Sequence, residues 1–452
     1  MSTAINPMLA RLVLHVAGIE PSRPMQVLSG TSQQARDAFD DASRKLFGSA
    51  LAEDSTADGA VSIGSGRSAA RALLGKRDQG GVCVVDGVTR LRLGRSKGTW
   101  IVLHSTANPQ LALPMAATPA AWTIEHMLPC DRSRLTRRLR QRVLLGAAKR
   151  GIHRHLPVPG LVTQFAGPSP LEGFVAERLQ QRQVSVALRP GRGAVNPKTT
   201  VVVFGASGER LAFAKVADVA SAGAYLDVAA DAMQQLALPG VPEVLFHGDY
   251  AGRRIVVESD VLEDQLPPPS ASFTASHANW LLARFDTHGS WSPLQDTPFW
   301  TTLQRRVTTH APHVASALAA AATRVGALPV ALDWIHRDFD EKNARPDGRG
   351  GLRVVDWEWS RRDWPALFDL IGMHYTAPAA IAAPLEAALS ALTAPSVAVR
   401  LVLDRLPLGH DQGVGLVALW LLDRIALSAE LGHGAGPSVL QLENALTRCL
   451  SR

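Results

Sequence analysis

Cysteine is scarce. Only Cys83, Cys130 and Cys449 occur, far apart and odd in number. No CxxC pair and no Cys/His spacing of a zinc site is present. A disulfide-framed module and a structural zinc domain are therefore excluded, and a reducing compartment is expected. Long apolar runs are missing too. Residues 414–422 run into Asp423-Arg424, and 315–332 carry Arg324, Gly326 and Pro329. Neither is expected to reach the length of a bilayer span, and no charged segment followed by a long apolar stretch and cleavage site opens the chain. A cytoplasmic protein is the resulting expectation. Lysine is also scarce, so arginine supplies most of the net charge of +7. That balance suits nucleic acid, an anionic membrane surface or a phosphorylated small molecule. An arginine-rich composition bias accounts for it without any partner.

At 452 residues the chain exceeds one ordinary core, and two or three domains are expected. Its 46% apolar and 19% charged content suits a globular protein. Residues 1–170 form the first expected domain and show no dominant internal repeat. Ala35, Ala38, Phe39, Ala42 and Leu46 recur at helical spacing over 32–47. Residues 53–59 read as a polar loop. Gly64-Ser65-Gly66-Arg67-Ser68 reads as a Gly-rich turn opening a helix at 69–74. Such a turn can hold phosphate, but no clear strand precedes it and no dinucleotide-type acid follows. Residues 82–93 read as a hairpin about Asp86-Gly87, and 100–103 as a further strand. In the basic run 132–154, Leu135, Leu139 and Val143 keep helical spacing, with Arg134, Arg137, Arg138, Arg140 and Arg142 around them. An anionic partner such as a lipid headgroup or RNA would suit that face. The run lacks aromatic residues for base stacking, so a solvated helix packed on its leucines is the simpler reading.

From about 171 a different pattern begins. Strands are expected at 184–188, 199–204 and 211–217, joined by Pro190-Gly191-Arg192-Gly193 and by a turn at 205–210. The third strand carries Lys215 among apolar residues. A lysine there is costly unless it meets an anion or its stem snorkels to the strand edge. A helix at 223–236 follows, then strands at 242–246 and 254–258, then the Pro-rich 266–270. Beyond lie expected helices at 276–286, 298–310, 384–392, 397–406, 414–431 and 437–450. Pro384 and Pro437 suit first helical positions.

The densest chemistry lies in 334–370. This stretch reads as strand, polar loop, hairpin turned at Asp347-Gly348, then an acid at a strand end. His336-x-Asp338-x-x-x-x-Asn343 puts a carboxylate and a carbonyl oxygen on one short loop. Val354-Val355-Asp356 adds a second carboxylate after an apolar strand. Moving the γ-phosphoryl group of a nucleotide requires a carboxylate at the attacking hydroxyl, hard oxygen ligands for Mg²⁺ and a cation at the phosphates. The stretch can supply the first two.

These residues resemble the aminoglycoside phosphotransferase and choline kinase family, relatives of the protein kinases. The resemblance is carried by the H-x-D-x-x-x-x-N loop at 336–343, by Val355-Asp356-Trp357-Glu358, and by Trp364-Pro365 with Asp369-Leu370, which is similar to the family's G-D-P-x-x-D-L. One extra residue stands before Asp369, and Arg337 replaces the glycine of most members. No DFG or APE segment of a protein kinase proper is present.

The resemblance implies an α+β, bilobal protein-kinase-like fold. A small antiparallel-sheet N-lobe would span 171–265 and a mainly helical C-lobe 266–452, preceded by an additional α/β domain at 1–170. Asp338 would be the catalytic base, and Asn343 and Asp356 the Mg²⁺ ligands. Lys215 would meet the phosphates of ATP, with the backbone from Glu258 to Val261 against adenine. His336 and Asp369 would structure the loop. The acid paired with Lys215 is expected on the helix at 223–236, at Asp227 or Asp231, with Asp231 preferred. The implied activity is transfer of the γ-phosphoryl group of ATP to a hydroxyl of a small molecule, such as an aminoglycoside or a sugar. Asp340, Glu341, Glu358 and Asp363 mix with Arg337, Arg361 and Arg362 near the loop, so a polycationic acceptor is not singled out. The alternative is a non-catalytic nucleotide-binding regulator with an anion-binding N-terminal module, because helix 223–236 has no Glu.

Overall fold

The computed structural model describes residues 61–65, 82–86, 99–103, 111–114, 116–128, 135–153, 160–164, 169–191, 197–261, 272–377, 383–432 and 437–452. They divide into two compact units. One holds the residues up to Asp227 with Val244–Asp260; the other holds Val228–Glu243 with Val261–Arg452.

The first unit is built on a ten-stranded sheet. Its strands are β1 (Val61–Ser65), β2 (Val82–Asp86), β3 (Thr99–Leu103), β4 (Leu111–Pro114), β5 (Gly160–Gln164), β6 (Ser185–Pro190), β7 (Lys198–Phe204), β8 (Arg210–Ala217), β9 (Val244–Tyr250) and β10 (Arg253–Ser259). They lie in the order β1-β2-β5-β3-β4-β6-β7-β8-β10-β9. Among the described residues only β1 and β2 pair in parallel. Turn chemistry sets the β6–β10 half. Gly208, at φ +88°, closes the β7–β8 turn, where Gly205 N–H donates to the Glu209 carbonyl at 2.8 Å. Ala251 and Gly252 both take positive φ in the two-residue β9–β10 loop, which matches the twist of a hairpin. Among the described residues three helices accompany the sheet: α1 (Ala117–Met127), α2 (Leu135–Lys149) and α3 (Pro170–Arg178). Ala120, Ala121, Ile124 and Met127 of α1 pack against Leu111, Leu113, Ala187, Val202 and Phe204 of the sheet. A Ser169/Glu172 capping box starts α3.

One expectation in this unit is corrected. Gly64 and Ser65 end β1, paired in register with Val85 and Asp86, so a strand does lead into the Gly-rich turn, whose remaining residues 66–68 lie outside the described ones. All five residues of β2 pair with β1 on one side and β5 on the other. The hairpin arm at 88–93, the helices at 32–47 and 69–74 and the loop at 53–59 lie outside the described residues.

Helix α4 (Ala220–Leu236) begins in the first unit and ends in the second. The second unit is mainly helical. It contains α5 (Ala275–His288), α6 (Pro298–His310), α7 (Ala315–Val325), α8 (Phe368–Thr376), α9 (Pro384–Thr393), α10 (Val397–Arg405), α11 (His410–Glu430) and α12 (Pro437–Leu450). Strands β11 (Ser290–Pro293), β12 (Pro329–Ile335) and β15 (Arg361–Pro365) form a small antiparallel sheet. A hairpin joins β13 (Ala344–Pro346) to β14 (Leu352–Val354). Helix α11 is the core element, and it corrects a further expectation. The helix does not stop at Asp423-Arg424 but runs 21 residues, His410–Glu430, long and apolar enough by length and composition to cross a bilayer. Here 83% of its most apolar window is buried inside the protein, because Asp423 finds arginine partners within the unit.

Candidate active site

Strand β12 delivers its last residue, Ile335, into the core, and the polar loop leaves directly from it. His336 is fully buried. Its ring donates from Nε2 to the Val355 carbonyl at 2.9 Å and accepts the Asp338 N–H at Nδ1, 3.3 Å away. It packs edge-on against Trp357 at 4.7 Å. The ring thus ties the start of the loop to the segment carrying Asp356. Asn343 makes a second tie, since its carbonyl accepts the Val355 N–H at 2.9 Å. Its side-chain amide donates to the Asp338 carboxylate and to the Asp338 carbonyl, both at 2.9 Å. With the NH₂ group so used, Oδ1 is the Asn343 atom left for a cation. Asp340 caps the turn between them by accepting from Lys342 N and Asn343 N.

Asp356 was expected at the end of a strand. Strand β14 stops at Val354 instead, and Asp356 takes a left-handed backbone at φ 73°, ψ 54° before a short 3₁₀ turn. Aspartate tolerates that region better than most side chains. The hairpin turn forms at Asp347-Gly348 as read: Asp347 Oδ1 accepts from Arg349 N and Gly351 N, both at 2.8 Å.

Beneath the loop lies a buried charge network. The Asp369 carboxylate accepts the N–H groups of His336 and Arg337 at 2.9 Å each. Arg284 of α5, with no exposure, bonds Asp369 at 2.6 Å and Asp333 of β12 at 2.7 Å. Burial raises the Asp333 pKa, against the pull of Arg284. Across the loop, Arg337 adopts φ 65° and reaches Asp423 of α11. Arg306 of α6 stands 3.5 Å from the same carboxylate and 2.9 Å from Glu430. The loop is therefore held at its backbone by Asp369 and at a side chain by Asp423.

Arg284 and Asp423 carry no motif and escape a reading by spacing. A weak signal exists for each. Arg284 falls one turn beyond Leu281 on the apolar side of its helix, and Asp423 interrupts the most apolar run of the chain.

The remaining candidates lie apart from this loop in the chain. Lys215 and Glu258 belong to the first unit, on β8 and β10. Their charged atoms are 3.6 Å apart, with side chains 9% and 7% exposed. The carboxylate placed against Lys215 is thus a strand residue, whereas a helix acid was expected. Asp227 of α4 instead pairs with Arg254 at 2.9 Å and His247 at 2.7 Å. Asp231 is exposed and accepts from Gln235 one turn on. Val261 is half-buried at the start of the second unit's long segment.

No family model matches the chain, and no curated protein matches its sequence. Among solved structures it is similar to choline kinase LicA from Streptococcus pneumoniae, at 15% identity, covering 63% of this chain and 99% of that one, with a TM-score of 0.41. It is also similar to an aminoglycoside phosphotransferase from Alicyclobacillus acidocaldarius, at 14% identity, 58% and 88% coverage and a TM-score of 0.32. An ethanolamine kinase of Plasmodium vivax follows at 8% identity, 60% and 82% coverage and a TM-score of 0.39. Likeness this distant does not by itself say what a chain acts on.

Proposed function

We propose that the chain is an ATP- and Mg²⁺-dependent phosphotransferase that moves the γ-phosphoryl group to a hydroxyl of a small molecule. One observation carries this reading. The Asn343 amide holds the Asp338 carboxylate, on a loop clipped at two points to Val355, the residue before Asp356. A positioned carboxylate and two further oxygen donors then belong to adjoining segments of one unit.

The donor set suits Mg²⁺. Among the described residues no group of three or more His, Cys, Asp or Glu stands ready for a metal. Magnesium does not need one, because it keeps waters and takes phosphate oxygens alongside one or two protein ligands. Asn343 Oδ1 and Asp356 would hold the ion, which neutralises charge on the transferring phosphates when bound. Asp338 orients the acceptor hydroxyl and takes its proton as that oxygen bonds to the γ-phosphorus and ADP departs. Lys215 meets the phosphates, with Glu258 steadying its ammonium group. His336 and Asp369 keep the loop in place, and a cytoplasmic supply of ATP fits the reading.

Nucleotide titration with and without Mg²⁺ tests the roles. Asp356→Ala is expected to lose Mg²⁺-dependent ATP binding, and Asp338→Asn to retain it. Unchanged binding in Asp356→Ala would remove Asp356 from the site. Tight ATP binding with no transfer to any acceptor would make the chain a nucleotide-binding regulator instead.

A further inference from the structure

We propose that helix α1 is a built-in cover on the nucleotide-facing side of the sheet, and that nucleotide binds only when α1 moves aside. The inference rests on the reading of Lys215 as the phosphate-binding lysine. Directly paired residues on neighbouring strands share a face, as do residues two apart on one strand. Lys215 pairs with Thr200 and Val256. Phe213, two residues away, pairs with Glu258 and Val202, and Val202 pairs with Ala187. One face therefore presents Lys215 and Glu258 beside an apolar floor of Phe213, Val202 and Ala187. A nucleotide has a matching shape, a polyphosphate joined to a flat base. Phosphates at Lys215 leave the base to lie on that floor.

Protein already occupies it. Ala120, Ala121, Ile124 and Met127 of α1 close over Ala187, Val202 and Phe204, which are at most 1% exposed. Trp122 lies edge-on to Phe204 at 5.8 Å and to Phe213 at 6.3 Å. The Arg210 guanidinium covers Trp122 at 4.5 Å and Phe213 at 5.7 Å, while pairing with Asp260 just past β10. Lys215 itself is closed off, at 9% side-chain exposure.

Helix α1 enters without a side-chain cap bond, its first turn has no acid, and Trp122 and Phe213 are only half-buried. A site that is open for only part of the time has its apparent affinity reduced by that fraction. Anything that loosens α1 should return the lost affinity.

The test uses the full chain and a fluorescent ADP analogue with Mg²⁺. Trp122→Ala is expected to bind about tenfold more tightly than the unaltered chain, and adding Lys215→Ala is expected to abolish the gain. Equal or weaker binding by a folded Trp122→Ala chain overturns the cover and leaves the nucleotide reading standing. Saturating analogue that binds neither chain overturns both. Should Trp122→Ala fail to fold, hydrogen exchange on the unaltered protein decides. Amides of 117–127 are expected to exchange faster with Mg²⁺ and ADP present; unchanged or slower exchange overturns the proposal.

Discussion

A buried ion pair of the first unit and a buried ion network of the second are built differently. Lys215 and Glu258 face each other across the sheet at 3.6 Å. Arg284 bonds Asp333 and Asp369 at 2.7 and 2.6 Å, and Asp369 also takes two backbone N–H groups. The first is a looser pair, its charged atoms just beyond hydrogen-bond distance. The second leaves nothing spare, since both acids and the arginine are almost wholly buried. Charge-assisted bonds of this kind hold geometry, and breaking one leaves an uncompensated charge in the interior. The proposed function asks ligand exchange of the first and loop rigidity of the second.

Removing Arg284 should break the rigid network hardest. Arg284→Met is expected to lose about 3–5 kcal/mol of unfolding free energy, read by urea titration, because Asp333 and Asp369 stay buried without a cation. A loss below about 1 kcal/mol, the scale of an exposed pair, would show that the network is not structural. Next comes the second hold on the loop. Asp423→Asn leaves Arg337 and Arg306 without their shared carboxylate and is expected to cost about 2–3 kcal/mol. Turnover should fall further than stability alone explains, since Arg337 precedes Asp338 and holds a left-handed backbone.

A smaller effect depends on pH. Burial pushes the His277 pKa down from 6.5 to about 4. Between those values the unfolded chain binds a proton that the folded chain refuses. Stability is therefore full above pH 6.5 and falls as pH drops towards 4, by about 1.4 kcal/mol per pH unit for one site. His374, also lowered by burial, adds in the same direction. His277 caps α5 by accepting the Thr274 N–H at Nδ1, a task glutamine performs in capping boxes. His277→Gln should keep the helix and remove one proton from the slope; an unchanged slope would exclude His277 as its source. The smallest stability effect is expected at the loose pair. Glu258→Gln leaves the buried Lys215 ammonium facing a neutral group and should cost about 1–2 kcal/mol while weakening nucleotide binding several-fold. A large stability loss there would put Lys215–Glu258 in the rigid class and undo the comparison.

The two regions also differ in how far they could be read from residues alone. The loop at 336–343, the Asp347-Gly348 turn and the β6–β8 meander rest on local chemistry, and local chemistry is written in neighbouring residues. The partner of Lys215 is not local. It depends on which strand lies beside β8 and in what register, and only pairing shows that Phe213 faces Glu258. Arg284 and Asp423 act across 85 and 86 residues of chain. Helix α1 sits on the sheet through Ala120, Ala121, Ile124 and Met127, spaced as on any amphipathic helix. That spacing marks a buried face without naming what covers it. Asp356 could be assigned to the site from its motif, but its left-handed backbone could not.

The most direct measurement is transfer of γ-labelled phosphate from ATP, with Mg²⁺, into a pool of hydroxylated metabolites and aminoglycosides. Unaltered chain and Asp338→Asn would be run side by side. A labelled product formed by the unaltered chain alone is the expected result, and its identity names the acceptor. Equal product from Asp338→Asn would contradict the account, because the carboxylate held by Asn343 would then have no part in the chemistry.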